Sequence, residues 1–414
     1  MIPNPSGDTV GSPHASGGAG VRGSPRVVIL LARVGGGHES VARALVESLV
    51  ELAGPELAVE RIDVYAPSCS RWPLTALPSA YHRSVTRLPC WCFGAFYRLS
   101  DRPGSFGLIE RLARPCIQPG LRRLLARARP DVVVRVVPGL GGAVTGALAA
   151  IGSQARVVTV VTDLVTIHTG WVTGESAAYA VPTPEAAAAV RAAGVPAARV
   201  HYHGLPVPGA FGRRPPERAG LRRRLGLGPD RPTLLLMSGG EGGGRLEALA
   251  RALATACPGA QLVVVAGRND LARRRLVAHP PPVPCRVLGY VGDVADWMRA
   301  ADLLVTKAGP STVMEAIHAG LPMLLTDSLP QEEGTLSYLL AHGAAARGAG
   351  TAETATVAAE LLGRPERLAS LRRSAEVLRR PEAARATAAL ILRHAGAAVP
   401  ELAAGLPVAR SDRP

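Results

Sequence analysis

Two series of short, wholly apolar runs, each ended by a glycine or polar turn, dictate what this chain can fold into. Val27 to Leu31 lacks the alternation of a half-exposed strand, so it suits a strand covered on both faces. A glycine turn follows, and then Ala42, Leu45, Leu49 and Leu52 recur at helical spacing. "PDVVVRVVPG" and "ARVVTVVTDL" repeat the strand pattern, and "SAAYAVPT" and "ARVHYHGLPV" give shorter versions. The segment "GLPVPGAFGRRPPERAGLRRRLGLGPDRP" then interrupts with proline, glycine and arginine. A second series follows in "TLLLMSGG", "QLVVVAGR", "CRVLGYVG", "DLLVTKAG" and "LPMLLTD". Strands alternating with helices require parallel α/β sheets. The expected architecture is α/β, two Rossmann-like doubly wound domains facing across a cleft. The expected boundaries are a disordered tail 1–25, a first domain 26–208, a linker 209–230, a second domain 231–395 and a tail 396–414. Ligands of such sheets bind at the carboxyl ends of the strands.

A length of 414 residues suits two domains. The net charge of +15 predicts an anionic partner: nucleic acid, phospholipid headgroups or a phosphorylated substrate. Cys69, Cys90, Cys92, Cys116, Cys257 and Cys285 fit no zinc spacing, and predict reduced thiols in a cytosolic protein. The first residues are rich in Gly, Ser and Pro and lack the apolar core of a secretory signal. No apolar run reaches the roughly 18 residues that a spanning helix needs.

Several turns carry chemistry. In "MSGGEGGG", Gly239, Gly240 and Gly242 follow a strand, where backbone N–H groups can meet a phosphate; a merely flexible turn is the alternative. It is no Walker loop, because the required lysine is missing. The only lysine among 47 basic residues, Lys307, sits instead in "TKAGPSTVMEA". There Gly309 and Pro310 turn the chain, and Ser311 and Thr312 open a helix. Glu315 has two readings. It can close a capping box with Thr312, or accept two hydrogen bonds from a ribose diol. In "TDSLPQEEGT", Asp327, Gln331, Glu332 and Glu333 crowd a loop that suits a hydroxyl-rich sugar, or simply solvent.

In the first domain, "GGGH" places His38 where a strand hands over to a helix, as a general base or as a capping or packing residue. "VTDLVTIHTGW" adds Asp163, His168 and Trp171 at another strand end. Between Tyr65 and Phe106 lie eight of the fifteen aromatics, Trp72, Tyr81, Trp91, Phe93, Phe96 and Tyr97 among them. Residues 71–130 carry eleven arginines against two acids, a net +9. That mixture predicts a membrane interface or single-stranded nucleic-acid binding, unless it is a helical subdomain with a solvated basic face.

Taken in order from Val27 to Gly343, "GGGH", "VTD…H..W", "GLPV…F", "GGEGGG", "GRND", "GYVGDVADWM…ADLLVTKAGPSTVMEA…GLPMLL" and "QEEG" resemble the monogalactosyldiacylglycerol synthase family. Its bacterial processive diacylglycerol glucosyltransferase relatives share the likeness, and the peptidoglycan lipid-intermediate N-acetylglucosaminyltransferase does so more distantly. The resemblance implies a GT-B glycosyltransferase that moves a hexose or N-acetylhexosamine with inversion, needs no metal or other cofactor, and uses a UDP-sugar and a lipid acceptor such as diacylglycerol. It implies that Gly239, Gly240, Gly242, Gly309, Ser311 and Thr312 face the diphosphate, and that Glu315 takes the ribose. It places Tyr290 and Val291 at the uracil and Gln331 and Glu332 at the sugar, and it matches Lys307 to the family's own lysine. His38 becomes the candidate base, with Asp163 and His168 as substitutes. Trp72, Trp91, Phe93 and Phe96 fall to the acceptor and membrane side. The chain is then expected in the cytoplasm, on the inner face of the cell membrane. The sequence agrees independently in lacking the D-x-D diphosphate–metal motif of the other main glycosyltransferase architecture.

Three departures bear on specificity. Arg33 and Val34 stand where relatives carry small polar residues, Thr335 stands where asparagine is usual, and residues 65–130 match loosely. Competing expectations are a UDP-sugar 2-epimerase, which needs no acceptor, and a glycosyltransferase acting on a soluble hydrophobic metabolite. A nucleic-acid-binding protein is a third, but no recognised binding motif accompanies the charge, and no nucleic-acid partner is expected.

Overall fold

The structure, a computed structural model, describes residues 24–86, 97–102, 104–213, 216–292, 294–326 and 329–397. Trp91, Phe93, Phe96, Cys90, Cys92 and Asp327 lie outside the described residues. Two six-stranded sheets, parallel throughout, form the framework. The first holds β1 (Arg26–Leu31), β2 (Ala58–Asp63), β3 (Val132–Arg135), β4 (Arg156–Val160), β5 (Ala178–Val181) and β6 (Val200–Tyr202) in the order β2-β1-β3-β4-β5-β6. The second holds β7 (Thr233–Met237), β8 (Gln261–Val265), β9 (Cys285–Leu288), β10 (Leu303–Thr306), β11 (Met323–Leu325) and β12 (Ala346–Arg347) in the order β12-β11-β10-β7-β8-β9.

The apolar runs are buried as their lack of alternation requires: Val27 to Leu31 and Thr233 to Met237 are closed to solvent. Two strands escape the pattern. β2 is an edge strand whose Glu60, Arg61 and Asp63 break the apolar run, because only one side of an edge strand is paired. β12 has two residues and carries no period at all.

Each strand order reverses at one point, between β1 and β3 in the first sheet and between β7 and β10 in the second. Loops leaving the carboxyl ends on either side of such a point run apart and open a crevice. The glycine turns after β1 and β7 and the Lys307 turn after β10 sit at these two places. The helix Gly37–Ala53 buries Val41, Ala42, Leu45 and Leu49 against the first sheet, with Leu52 half-buried.

The last helix, Ala383–His394, was expected with the second domain. It packs instead on the helix Gly37–Ala53 and on β3 and β4, so the chain crosses back to the first domain. Its apolar side, Ala388, Leu390, Ile391 and Leu392, is buried there. The linker's short helix, Arg218–Arg224, docks on the second domain, where Arg218 and Arg222 both pair with Asp302.

Between β2 and β3 the chain inserts the helices Leu77–Thr86 and Ser105–Ala128. The aromatics of this segment turn inward more than expected. Tyr65 packs on the core under the first sheet, Tyr81 lies over Gly35, and Tyr97 and Phe106 hold the ring of His168. Among the described residues of the segment, Trp72 is the exposed aromatic, at 79%. The other outward large apolar side chains among the described residues of the segment are Leu77, Leu99, Leu108, Ile109 and Leu112. Four cysteines are described, and all are free thiols.

Candidate active site

The carboxyl ends of the two sheets face each other across a cleft of about 240 Å³. Gly239, Gly240, Tyr290, Val291, Ser311, Thr312 and Glu315 line it from the second domain, and Gly35, Gly36, Gly37 and Ser40 from the first. The two glycine turns touch, the Gly240 N–H donating to the Gly35 carbonyl at 3.1 Å. A Cβ on Gly240 would lie 2.8 Å from that oxygen, so only glycine permits the approach. Gly242 serves the shape of its own turn. It has φ +61°, and a Cβ there would stand 1.8 Å from the Ala266 carbonyl oxygen.

Pro310 is the first residue of the helix Pro310–Ala319, and Gly309 caps it without a side-chain bond. Thr312 is therefore inside the helix, and the capping box with Glu315 does not form, since a capping hydroxyl must precede the first turn. Glu315 instead points across the cleft and accepts a hydrogen bond from Ser40 Oγ at 2.5 Å. Ser311 Oγ donates to the Gly37 carbonyl at 3.2 Å, and Arg43 to the Gly292 carbonyl. The groups expected to hold a nucleotide thus contact the opposite domain.

Lys307 lies beneath the cleft floor, between Gly239 and Gly309. Their added Cβ atoms would come within 3.3 Å of Lys307 Cε and 3.2 Å of Nζ. It pairs with buried Glu332. Burial works to lower the ammonium's pKa, but Glu332 and Tyr81 outweigh it and hold the pKa above its usual value. The slot accounts for the lone lysine: a compact ammonium on a thin stem fits where a planar guanidinium does not. Glu332 also accepts the Leu329 N–H at 3.2 Å, and neighbouring Gln331 has a buried Oε1 with no partner among the described residues.

On the first domain's side, His38 is half-buried at the start of the helix Gly37–Ala53, with its ring edge-on to Trp171 at 6.4 Å between centroids. Burial lowers its pKa to about 4, with a weaker opposing hydrogen bond to the Ala32 backbone, so the imidazole is neutral at pH 7. Its Nδ1 has no partner among the described residues. Trp171 Nε1–H donates to Asp163 at 2.7 Å, and burial pushes that carboxyl up to about 6 despite this bond. His168 is engaged on both ring nitrogens. Nδ1 accepts the Gly170 N–H at 3.0 Å, so Nε2 carries the proton and faces Ser100 Oγ at 3.1 Å.

Sequence reasoning passed over the supports of these loops. Arg135 in β3 is fully buried with no acidic hydrogen-bond partner among the described residues, and donates to the carbonyls of Gly139, Trp171 and Thr173. It thereby fixes the loop that carries Trp171. A charged chain also crosses the cleft. His82 Nδ1 meets Glu241 at 2.6 Å, Arg268 reaches Glu241 at 3.1 Å and Glu39 at 3.4 Å, and the Arg268 guanidinium sits 4.5 Å over the Tyr290 ring. Glu241 was readable as the one charged residue of its glycine turn, but its partners come from sequence-distant elements. Among the described residues no cluster of three or more His, Cys, Asp or Glu side chains is placed to hold a metal ion, and no helix is long and apolar enough to cross a membrane.

Residues 38–207 match the family description "Monogalactosyldiacylglycerol (MGDG) synthase", and residues 233–337 match "Glycosyltransferase family 28 C-terminal domain". The chain is 33% identical over 331 residues to the chloroplastic monogalactosyldiacylglycerol synthase of Spinacia oleracea, covering 77% of this chain and 62% of that one. It is 31% identical over 369 residues to the chloroplastic monogalactosyldiacylglycerol synthase 3 of Arabidopsis thaliana, covering 86% and 78%. Among solved structures, Acinetobacter baumannii MurG superposes with a TM-score of 0.53 at 17% identity, covering 89% of this chain and 100% of that one. A UDP-N-acetylglucosamine 2-epimerase does so with 0.57 at 16%, covering 92% and 99%. The solved structures establish the GT-B arrangement of two Rossmann-like domains and nothing finer, since a transferase and an epimerase fit alike. The sequence relatives are specific, and the chain belongs to the monogalactosyldiacylglycerol synthase family of glycosyltransferases.

Proposed function

We propose that this protein transfers a hexose from a UDP-sugar to a hydroxyl group of a lipid acceptor, with inversion and without a bound metal ion. The observation that carries the reading is the cleft itself. Gly35, Gly36, Gly37 and Ser40 form one wall, and the glycine turn, the helix start at Ser311 and the Glu315 carboxylate form the other. His38, a neutral imidazole with a buried Nδ1 unpartnered among the described residues, lies within the first wall's helix start, behind its lining residues.

In this reading the Gly239 and Gly240 turn and the start of the helix Pro310–Ala319 hold the diphosphate, with the Lys307 charge beneath them. Glu315 exchanges Ser40 for the ribose hydroxyls, and backbone groups of Tyr290 and Val291 meet the uracil. Gln331, with its open oxygen, and Glu332 read the hexose. The acceptor oxygen attacks the anomeric carbon from the side opposite the leaving UDP, which inverts that carbon. His38 takes the acceptor's proton as the new bond forms. A bound diphosphate places negative charge in the cleft and raises the imidazole's pKa toward neutrality, where a general base works best.

The acceptor side is the inserted segment. Trp72, Leu108 and Leu112 are exposed beside Arg71, Arg102 and Arg111, a combination that suits peripheral docking on an anionic bilayer such as the inner face of the cell membrane. The test is UDP release from a panel of UDP-sugars with and without extracted lipid. Release that depends on lipid is expected. Conversion of the sugar nucleotide without an acceptor would instead identify a 2-epimerase.

A further inference from the structure

At the opposite end of the first sheet, by the amino ends of its strands, lies a second cavity of about 710 Å³. Arg156 at the start of β4, His201 in β6, and Arg393 and His394 in the last turn of the helix Ala383–His394 wall it, with Gln154 beside them. Elsewhere, arginines such as Arg218, Arg222 and Arg268 pair with carboxylates. Here none of the four cationic or imidazole side chains has a hydrogen-bond or ion-pair partner among the described residues. The one acid on the wall, Asp131, already accepts the Arg26 N–H at 2.7 Å.

Cationic side chains that outnumber the single carboxylate beside them disfavour one another's charge, and the histidines register it. Burial and then Arg393 lower the pKa of His201, and burial followed by Arg156, His201 and Arg393 lower that of His394. His203, behind His201 at 5.9 Å between ring centroids, is lowered to about 4 by burial, His201 and Arg393. Such a cluster is relieved by an anion, and two guanidinium forks match the oxygens of a phosphate. The wall offers Leu390 and several alanines but no large apolar surface, so it suits a charged head rather than an acyl chain.

We infer that this cavity is a second anion site, separate from the donor cleft, taking a phosphate-bearing group from either a soluble phosphate ester or a lipid headgroup. Arg156 and Arg393 grip the phosphate oxygens, and His201, His394 and Gln154 supply N–H donors. Binding draws protons onto the histidines, so affinity rises as pH falls below neutrality. The groups that set this dependence are Asp131, Arg156, His201, His203, Arg393 and His394.

The test uses the full chain with saturating UDP, so that the donor cleft is filled. UDP affinity is measured separately, which keeps a failure of the donor reading distinguishable. Glycerol 3-phosphate is titrated by calorimetry, and vesicles of phosphatidylcholine with and without phosphatidic acid are tested by flotation. The wild type is expected to bind at least one probe. R156Q/R393Q should weaken that binding about 100-fold, roughly tenfold for each charge-assisted contact removed. R156K/R393K, which keeps both charges, should retain most of it, and all three proteins should bind UDP alike. Loss confined to glycerol 3-phosphate identifies a soluble ester, and loss confined to phosphatidic acid vesicles identifies a headgroup. The inference is overturned if neither probe binds the wild type under UDP, or if R156Q/R393Q binds as well as the wild type.

Discussion

Replacing Glu315 by alanine separates a nucleotide site from a structural contact. Its carboxylate accepts a hydrogen bond from Ser40 Oγ at 2.5 Å, a contact that a bound ribose has to displace. A ribose diol offers two hydrogen bonds to the carboxylate and displaces one. Each such bond to a charged group contributes about 1.5–3 kcal/mol. The net loss in Glu315→Ala is therefore about one bond, equivalent to UDP binding weakened roughly 10- to 150-fold. Ser40→Ala gives the opposite sign: it removes the competitor, so UDP should bind equally well or up to about tenfold tighter. In the double variant the Ser40 effect should vanish, because the partner it competes for is gone. Calorimetric titration of UDP into the four proteins reads all of this. Wild-type UDP affinity in Glu315→Ala, together with lowered thermal stability, would refute the reasoning and return Glu315 to an interdomain contact.

Other perturbations test other parts of the account. His38→Ala should cut turnover by about 10²–10⁴-fold while UDP affinity survives. The acid limb of the wild-type kcat/KM profile, which reports the free enzyme, should reflect a base that must be unprotonated: loss of activity through about pH 4 points to His38, and loss through about pH 6 to Asp163. Asp163 also has a stability signature. Its carboxyl binds a proton more readily folded than unfolded, so its contribution falls as pH rises from about 4 to about 6. Thermal unfolding across that window should therefore show Asp163→Asn gaining on the wild type as pH rises. Lys307→Met strands buried Glu332 and should cost about 3 kcal/mol in urea unfolding. Lys307→Arg should destabilise as well, and wild-type stability there would end the steric account of the lone lysine. Serine at Trp72, Leu108 and Leu112 together should reduce binding to anionic vesicles and glycosylation of lipid in parallel, leaving UDP affinity intact. Added salt should weaken the wild type's vesicle binding in the same way.

How much of this was legible in the sequence follows from how local each signal is. Both sheets were readable because a strand buried on two faces must be apolar throughout, as Val27–Leu31 and Leu303–Val305 are. The turns at Gly239 and Gly309 were readable because they sit where a strand ends. β2 was not, since an edge strand tolerates Glu60 and Arg61. Nor was the destination of the helix Ala383–His394, because an apolar stripe records that it is covered but not by what. Aromatic content does not say which rings of the inserted segment face outward. Of the expected wedges Trp72 is exposed, and Trp91, Phe93 and Phe96 lie outside the described residues, whereas Tyr81, Tyr97 and Phe106 pack around Gly35 and His168. The Ser40–Glu315 bond joins residues 275 positions apart, and the Glu241 contacts with His82 and Arg268 likewise cross the chain. Such pairings exist only once two domains face each other, and no local pattern encodes them.

The most direct measurement of the central claim is mass spectrometry of lipid products after the protein is incubated with each UDP-sugar and an extracted lipid mixture containing diacylglycerol. The account predicts a lipid heavier by one hexose unit, formed in step with UDP, carrying the anomeric configuration opposite to the donor's, and lost in His38→Ala. UDP released with no glycosylated lipid, a retained anomeric configuration, or full product from His38→Ala would contradict it.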